Sequence, residues 1–297
     1  MDFVVQTESL PAPGQTVLGK AFQMIPGGKG ANQACAAGRL AGNALVRMVG
    51  RVGYDIFADH LKASLAAAGV DVSGVTAVRN EPTGVALIGV DAAGQNSIIV
   101  ASGANAAFLA SDIEGSRSSF RNSRYALFQL ETPLDTVAAA LRLARREGAK
   151  TILDPAPAQA LSSDLLAEVD ILTPNESEAC ILLGRPTGRI TMQEAPVLAR
   201  EVLAKGPAAV ILKLGENGCL YVDATAEIHA PGFAVAARDT TAAGDTFNAG
   251  LAIALSEGLP LPDALRFANA AAALSVTRMG AQASIPLRTE VDEFLRS

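Results

Sequence analysis

Near the C-terminal end the chain reads Asp239-Thr-Thr-Ala-Ala-Gly-Asp245-Thr-Phe-Asn248. A turn of small residues, Ala242-Ala243-Gly244, runs into an apolar-periodic segment with Asp245 at the junction. Phe247, Leu251, Ala254 and Leu255 fall at i, i+4, i+7 and i+8, so the spacing predicts a helix that starts here. The first N–H groups of a helix have no partner within it and attract anions. Small residues let a phosphate come close to them. A carboxylate in the same turn can accept a proton from a hydroxyl that attacks the phosphate. Cradle and base together point to phosphoryl transfer. An Asp at a helix start is also an ordinary N-cap, so the weight of this reading depends on the rest of the chain.

From about residue 120 onward, short β-branched runs alternate with Ala/Leu-rich stretches. Residues 125–130, 151–153, 170–172 and 209–212 read as buried strands, and 134–147, 163–168, 176–183 and 194–205 as helices. That rhythm predicts a parallel sheet covered on both faces. Glu131, Asp154, Asn175 and Lys213 each stand just after a strand. Open parallel sheets bind ligands beyond the carboxyl ends of their strands, so these four are candidates for one cleft; as turn residues or caps they would need no ligand.

The first hundred residues differ. Residues 3–8 and 16–25 look extended around the turn Pro11-Ala-Pro-Gly14, and 84–90 and 97–101 flank the hairpin signal Asp91-Ala-Ala-Gly94. These pieces predict a small antiparallel sheet serving as a lid. Between them lie a helix near 31–41, a strand near 46–49 and a helix near 56–68. The expected division is a discontinuous lid of residues 1–29 and 81–103 on a core of residues 30–80 and 104–297.

Five further stretches carry chemistry. Pro26-Gly27-Gly28-Lys29-Gly30-Ala31-Asn32-Gln33 matches neither GxxxxGK[ST] nor GxGxxG, but its glycines allow a hinge or close backbone approach to a polar ligand, with Lys29 and Asn32 as donors. Thr173-Pro-Asn175-Glu176-Ser-Glu178 opens a helix; its acids favour the helix dipole, or organise magnesium waters. Lys213-Leu-Gly215-Glu-Asn-Gly218 follows a strand and is either a plain turn or a loop near a nucleotide. A last helix near 262–279 places Asn269 on an apolar stripe, where an adenine edge or a backbone group must pair with it. Arg278-Met-Gly280 ends that helix; its carbonyls, with Asp239, can cap or hold a cation.

Bulk properties narrow the class. At 297 residues and 49% hydrophobic content, the chain can bury one large α/β domain or two smaller ones. Net charge of −6 argues against nucleic acid, and no apolar run is long enough to span a membrane. Cys35, Cys180 and Cys219 are odd in number and far apart, which fits a reducing cytoplasm rather than a disulfide framework. Two histidines and no Cys/His cluster make a structural zinc site improbable.

Taken together, these stretches resemble the PfkB carbohydrate kinase family over practically the whole chain. Gly27-Gly-Lys-Gly-Ala-Asn-Gln-Ala34 looks like its first signature and Asp239–Asn248 like its second. Gln129-Leu-Glu-Thr-Pro133, Asp154-Pro-Ala-Pro-Ala158, Thr173–Glu178 and Thr277-Arg-Met-Gly-Ala-Gln282 look like its ribose-phosphorylating branch. The resemblance implies an α/β fold, a three-layer αβα sandwich with a mostly parallel central sheet plus a small antiparallel β lid. It implies ATP-dependent phosphorylation of D-ribose at O5, with Asp245 as base and the amides of Ala242, Ala243, Gly244 and Asp245 as anion hole. Asp2, Gly28, Lys29, Gly30, Ala31, Asn32 and Glu131 would hold the sugar. Asn175, the loop Lys213, Leu214, Gly215, Glu216, Asn217 and Gly218, and Asn269 would face ATP. Glu178 would act through magnesium. A monovalent cation, K+, would sit near Asp239, Thr241, Ser275, Arg278, Gly280 and Ser284. Members usually dimerise through their lids.

The chain departs from the family pattern twice. The family opens with a buried strand, then a Gly and an Asn two residues before the acid matched by Asp2; this sequence starts one residue before that acid. The expectation is a start further upstream or a trimmed chain, with unpaired backbone groups where the strand would lie. Lys213 also stands where ribose-specific members often carry Thr, whereas some other sugar kinases of the family carry Lys. The competing readings are a kinase for fructose, a nucleoside or a keto-deoxy sugar acid, and a sugar-binding homologue without catalysis. A dinucleotide-dependent oxidoreductase is disfavoured, because no strand–GxGxxG–helix unit occurs.

Overall fold

The computed structural model describes residues 1–296. Its strands are β1 (Asp2–Thr7), β2 (Gly19–Ile25), β3 (Val46–Gly53), β4 (Val70–Val78), β5 (Val85–Val90), β6 (Asn96–Ala101), β7 (Tyr125–Phe128), β8 (Lys150–Leu153), β9 (Ile171–Leu172), β10 (Ala209–Lys213), β11 (Cys219–Asp223) and β12 (Glu227–Ala230). The central sheet runs β12-β11-β10-β9-β8-β7. Strands β7 to β10 are parallel; β11 and β12 turn back antiparallel.

Alternation along the strands makes the layers. In β10, Val210 and Leu212 join Leu153, Leu172, Leu220 and Val222 in a cluster sealed by helices Leu134–Arg146, Glu176–Leu182 and Ala195–Leu203. Ala209 and Ile211 join Ile152, Cys219 and Tyr221 on the opposite side, under helices Lys29–Leu40, Ala243–Ser256 and Leu261–Ser275. A strand buried on both faces reads as a continuous apolar run, as the sequence Ala209-Val-Ile-Leu212 does. All three cysteines are free and buried: Cys35 and Cys219 in the second cluster, Cys180 in the first.

Several elements lie where the pattern placed them, within a few residues. Strands β4, β11 and β12 and the helix Arg288–Arg296 were not foreseen. The helix expected over 262–279 spans Leu261–Ser275. It stops early because Ser275 and Thr277 turn their hydroxyls onto the carbonyls of Ala272 and Leu274, and Gly280 has a φ of 91°.

The outlying sheet has the order β2-β1-β5-β6. It is mixed rather than wholly antiparallel. Each hairpin is antiparallel, but β1 pairs parallel with β5, Phe3 opposite Leu87 and Val5 opposite Gly89. The reason is connectivity: β1 and β5 are joined through the core, so no tight turn forces them to run in opposite directions.

Strands β3 and β4 form a separate parallel pair. Among the described residues β3 pairs only with β4, and β7 only with β8. Residues of both β3 and β7 line a cavity of about 1530 Å³. Helix Lys29–Leu40 touches both strands and so ties the two sheets together.

Candidate active site

Helix Ala243–Ser256 delivers Asp245 in its first turn. The entry is sharp: Ala242 has φ 60° and ψ 12°, a left-handed conformation that few residues besides glycine adopt readily. No side chain caps this helix start. Thr246 closes the turn instead, sending its N–H and its hydroxyl to the Ala242 carbonyl, both at 2.8 Å. Of the four proposed anion-hole amides, that of Ala243 donates to Thr240 O at 3.2 Å.

Asp245 is not spent as its own helix cap. It is 6% exposed, and two amides from helix Lys29–Leu40 grip it. Asn32 Nδ2 donates to Oδ2 and Gln33 Nε2 to Oδ1, each at 3.1 Å. Burial, and then the charge of Asp154, push its carboxyl above the usual aspartate range, against Lys29, Gln33 and Asn32.

The sugar-binding candidates gather around it. Asp2, Gly28, Lys29, Gly30, Ala31, Asn32 and Glu131 line the same cavity as Asp245 and Ala242. Glu131 Oε2 accepts from the Lys29 backbone N–H at 2.8 Å. Gly28 takes a φ of 93°, which lets the chain turn from the lid into the helix. A β-carbon on Gly27 would stand 2.0 Å from Asp2 Oδ2, so the backbone lies directly against that carboxylate. Burial raises Asp2 and Glu131 above their ordinary values; the N-terminal ammonium opposes this at Asp2, and Lys29 at Glu131.

The nucleotide candidates lie along the carboxyl edge of β9 and β10. Asn175 and Glu178 form a reciprocal cap: Asn175 N–H donates to Glu178 Oε2 at 2.7 Å, and Glu178 N–H to Asn175 Oδ1 at 2.8 Å. Burial raises the Glu178 carboxyl, with Lys213 opposing. Lys213 N–H donates to Pro174 O at 2.8 Å, joining the two loops. Leu214 to Gly218 make a tight turn, with Leu214 N–H returning to Gly218 O and Glu216 on its short helical segment. Asn269 has backbone partners: its Nδ2 donates to Ala230 O and Pro231 O, at 3.0 and 3.2 Å. It therefore holds the crossing against which Gly218 packs.

Asp239 joins two of the segments expected to hold a cation. Its Oδ1 accepts from the N–H and hydroxyl of Thr241, at 2.9 and 2.6 Å, and its Oδ2 from Gly280 N–H at 2.8 Å. Ser275 and Ser284 direct their hydroxyls to local carbonyls, and Arg278 pairs with Glu290.

Sequence reasoning gave Gln33 and Gln129 no role of their own, and placed Asp154 and Lys213 in the cleft without linking them to Asp245. Gln33 Nε2 bridges Asp245 and Asp154, at 3.1 Å to each, while Gln33 Oε1 accepts from Gln129 Nε2 at 2.5 Å. Lys213 Nζ completes the row on Asp154 Oδ1 at 2.8 Å. The available signal was the pair Asn32-Gln33, two adjacent amides in the first turns of a helix otherwise lined with alanine.

A buried carboxylate at a helix start, beside a cavity under the small sheet, is the arrangement expected of a phosphotransferase on an α/β sandwich. The pfkB carbohydrate kinase family model matches residues 1–288, and the chain belongs to that family of sugar kinases. The chain is 42% identical over 295 residues to ribokinase of Haemophilus influenzae, covering 99% of this chain and 95% of that one. It is 36% identical over 296 residues to deoxyribokinase of Salmonella typhi, with 99% and 95% covered. The fold matches the structure of Arabidopsis thaliana ribokinase complexed with ribose and ATP at a TM-score of 0.90 and 35% identity, covering 100% of this chain and 96% of that one.

Proposed function

We propose that this protein transfers the γ-phosphoryl group of ATP to O5 of D-ribose, giving ribose 5-phosphate. The observation that carries this reading is Asp245, buried in the first turn of an uncapped helix and facing the cavity lined by Asp2, Lys29, Asn32 and Glu131. Those carboxylates accept from sugar hydroxyls, and Lys29 and Asn32 donate to them. Asp245 takes the proton of the attacking hydroxyl while helix-start amides hold the phosphate. Little covalent work is left to the protein, so position and charge dominate. Asn32 and Gln33 fix the direction of the base, and the lid excludes water.

Magnesium enters with the nucleotide. Glu178 fits a water-mediated contact better than a direct one, because its own helix cap already engages one carboxylate oxygen. K+ would bind by Asp239 largely through carbonyl oxygens and brace the loop that enters the catalytic helix. Three free thiols suit a reducing compartment such as the cytoplasm; among the described residues no helix is long and apolar enough to cross a membrane. One face of the lid presents Phe22, Met24, Leu87 and Ile99, all exposed, with Met24 and Leu87 flanking Phe3 and Leu87 opposite Ile99, as the surface of a homodimer.

The test is ADP release from ATP with and without D-ribose, in potassium and in sodium. 2-Deoxy-D-ribose, fructose, a nucleoside and a keto-deoxy sugar acid serve as competing acceptors. Ribose-dependent release is expected, faster in potassium. Preference for another acceptor would transfer the reading to that sugar, and binding without turnover would make the protein a sugar receptor.

A further inference from the structure

We propose that Lys213 is a catalytic cation of this active site, parked on Asp154 while no nucleotide is bound and moving onto the terminal phosphate during transfer. The inference rests on the kinase reading above. Lys213 ends β10 at the carboxyl edge of the sheet. Its ammonium lies 2.8 Å from Asp154 Oδ1 and 3.3 Å from the point where a β-carbon on Gly244 would stand. Gly244 belongs to the turn that presents the amides and Asp245. The cation therefore already lies against the cradle, in room that a glycine leaves open.

The side chain is 13% exposed. Burial opposes its charge, but Asp154, then Glu178 and Asp245, outweigh that and hold it protonated. One ammonium thus answers three acids. A buried ion pair by itself gives a fold little net stability, so an Asp154–Lys213 pair with no further use would be an expensive way to fill this space. An ammonium on a flexible stem is a movable point charge. It can pass from carboxylate to phosphate while its α-carbon stays fixed in the sheet. Asp154 is then a positioning residue twice over, since its other oxygen accepts from the Gln33 amide that also holds Asp245.

The experiment compares wild type with Lys213→Met, Lys213→Arg, Asp154→Asn and the double variant Asp154→Asn/Lys213→Met. Lys213→Met should lower kcat by about 10²-fold, the scale for losing one preorganised phosphate-directed group. Calorimetry should show β,γ-imido-ATP binding weakened roughly tenfold or more, with AMP and ribose binding as in wild type. Lys213→Arg should retain part of the rate. The double variant should stay as slow as Lys213→Met. Recovery of the Asp154→Asn rate in the double variant, or wild-type turnover in Lys213→Met, would reduce Lys213 to a counter-ion and overturn the proposal. Should Lys213→Met not fold, Lys213→Gln in the Asp154→Asn background decides by the same criteria. A wild-type protein with no ribose-dependent ADP release refutes the kinase reading itself; normal wild-type turnover with unaffected variants refutes only this role.

Discussion

At the scale of single residues, the proposed chemistry concentrates on Asp245. Replacing it with Ala should lower kcat by roughly 10²–10⁴-fold, the usual contribution of a positioned base. Ribose affinity, read by calorimetry, should stay within about an order of magnitude, because Asp2, Lys29 and Glu131 remain. Its raised pKa sets a pH dependence. A base must be ionised, so the acid limb of kcat/KM should lie above the 3.8 of an ordinary aspartate. The same carboxyl affects stability with a definite sign. Its folded pKa exceeds its unfolded one, so the folded state binds more protons across that window. Stability of the ligand-free protein should therefore fall as pH rises from 3.8 through the folded value, and Asp245→Ala should flatten that slope in urea melts. The place of Asp245 was legible because a small-residue turn before a periodic segment announces a helix start. Gln33 was not legible: its partners Asp154 and Asp245 lie 121 and 212 positions away, and no local pattern reports such a meeting.

At the scale of elements, short apolar runs made β7 to β10 readable in the sequence; β10 is buried on both faces, and β7, at the sheet edge, is half-buried. Strand β4 hid because its sequence, Val70-Asp-Val-Ser-Gly-Val-Thr-Ala-Val78, mixes polar and apolar residues at a half-buried border. Strands β11 and β12 hid because their short run was absorbed into the loop after β10. Close packing of elements yields a further expectation. A β-carbon on Gly38 would come within 2.2 Å of the Ala68 carbonyl oxygen, so Gly38→Ala must pry helix Lys29–Leu40 away from that backbone. A loss of about 1–3 kcal/mol is expected, measured as a lower denaturant midpoint. The same helix carries Asn32 and Gln33, so kcat should drop as well. At the carboxyl edge of β9, Asn175→Ala removes a helix cap and should cost about 1 kcal/mol, seen in the same melts.

At the scale of the whole molecule, the lid has two apolar sides with different fates. Ile88, Ile98 and Val100 line the cavity with the site, while Phe22, Met24, Leu87 and Ile99 face outward. Leu87→Lys should shift the protein to a monomer in sedimentation velocity; an unchanged sedimentation coefficient for a dimeric wild type would locate the contact elsewhere. The mixed pairing of the lid escaped sequence reasoning because β1 and β5 are distant in the chain, and only folding decides their relative direction.

The buried cysteines supply a built-in stopwatch. Burial holds the Cys219 thiol up at about 12 and raises Cys35 as well, so neither offers much reactive thiolate at neutral pH. A disulfide reagent should wait for the molecule to breathe, and its colour change would time the opening of the cluster that holds both thiols. Saturating sugar should slow the clock of Cys35, which rides on the helix that grips the base; labelling within the mixing time, with or without sugar, would mean that these thiols are not sealed.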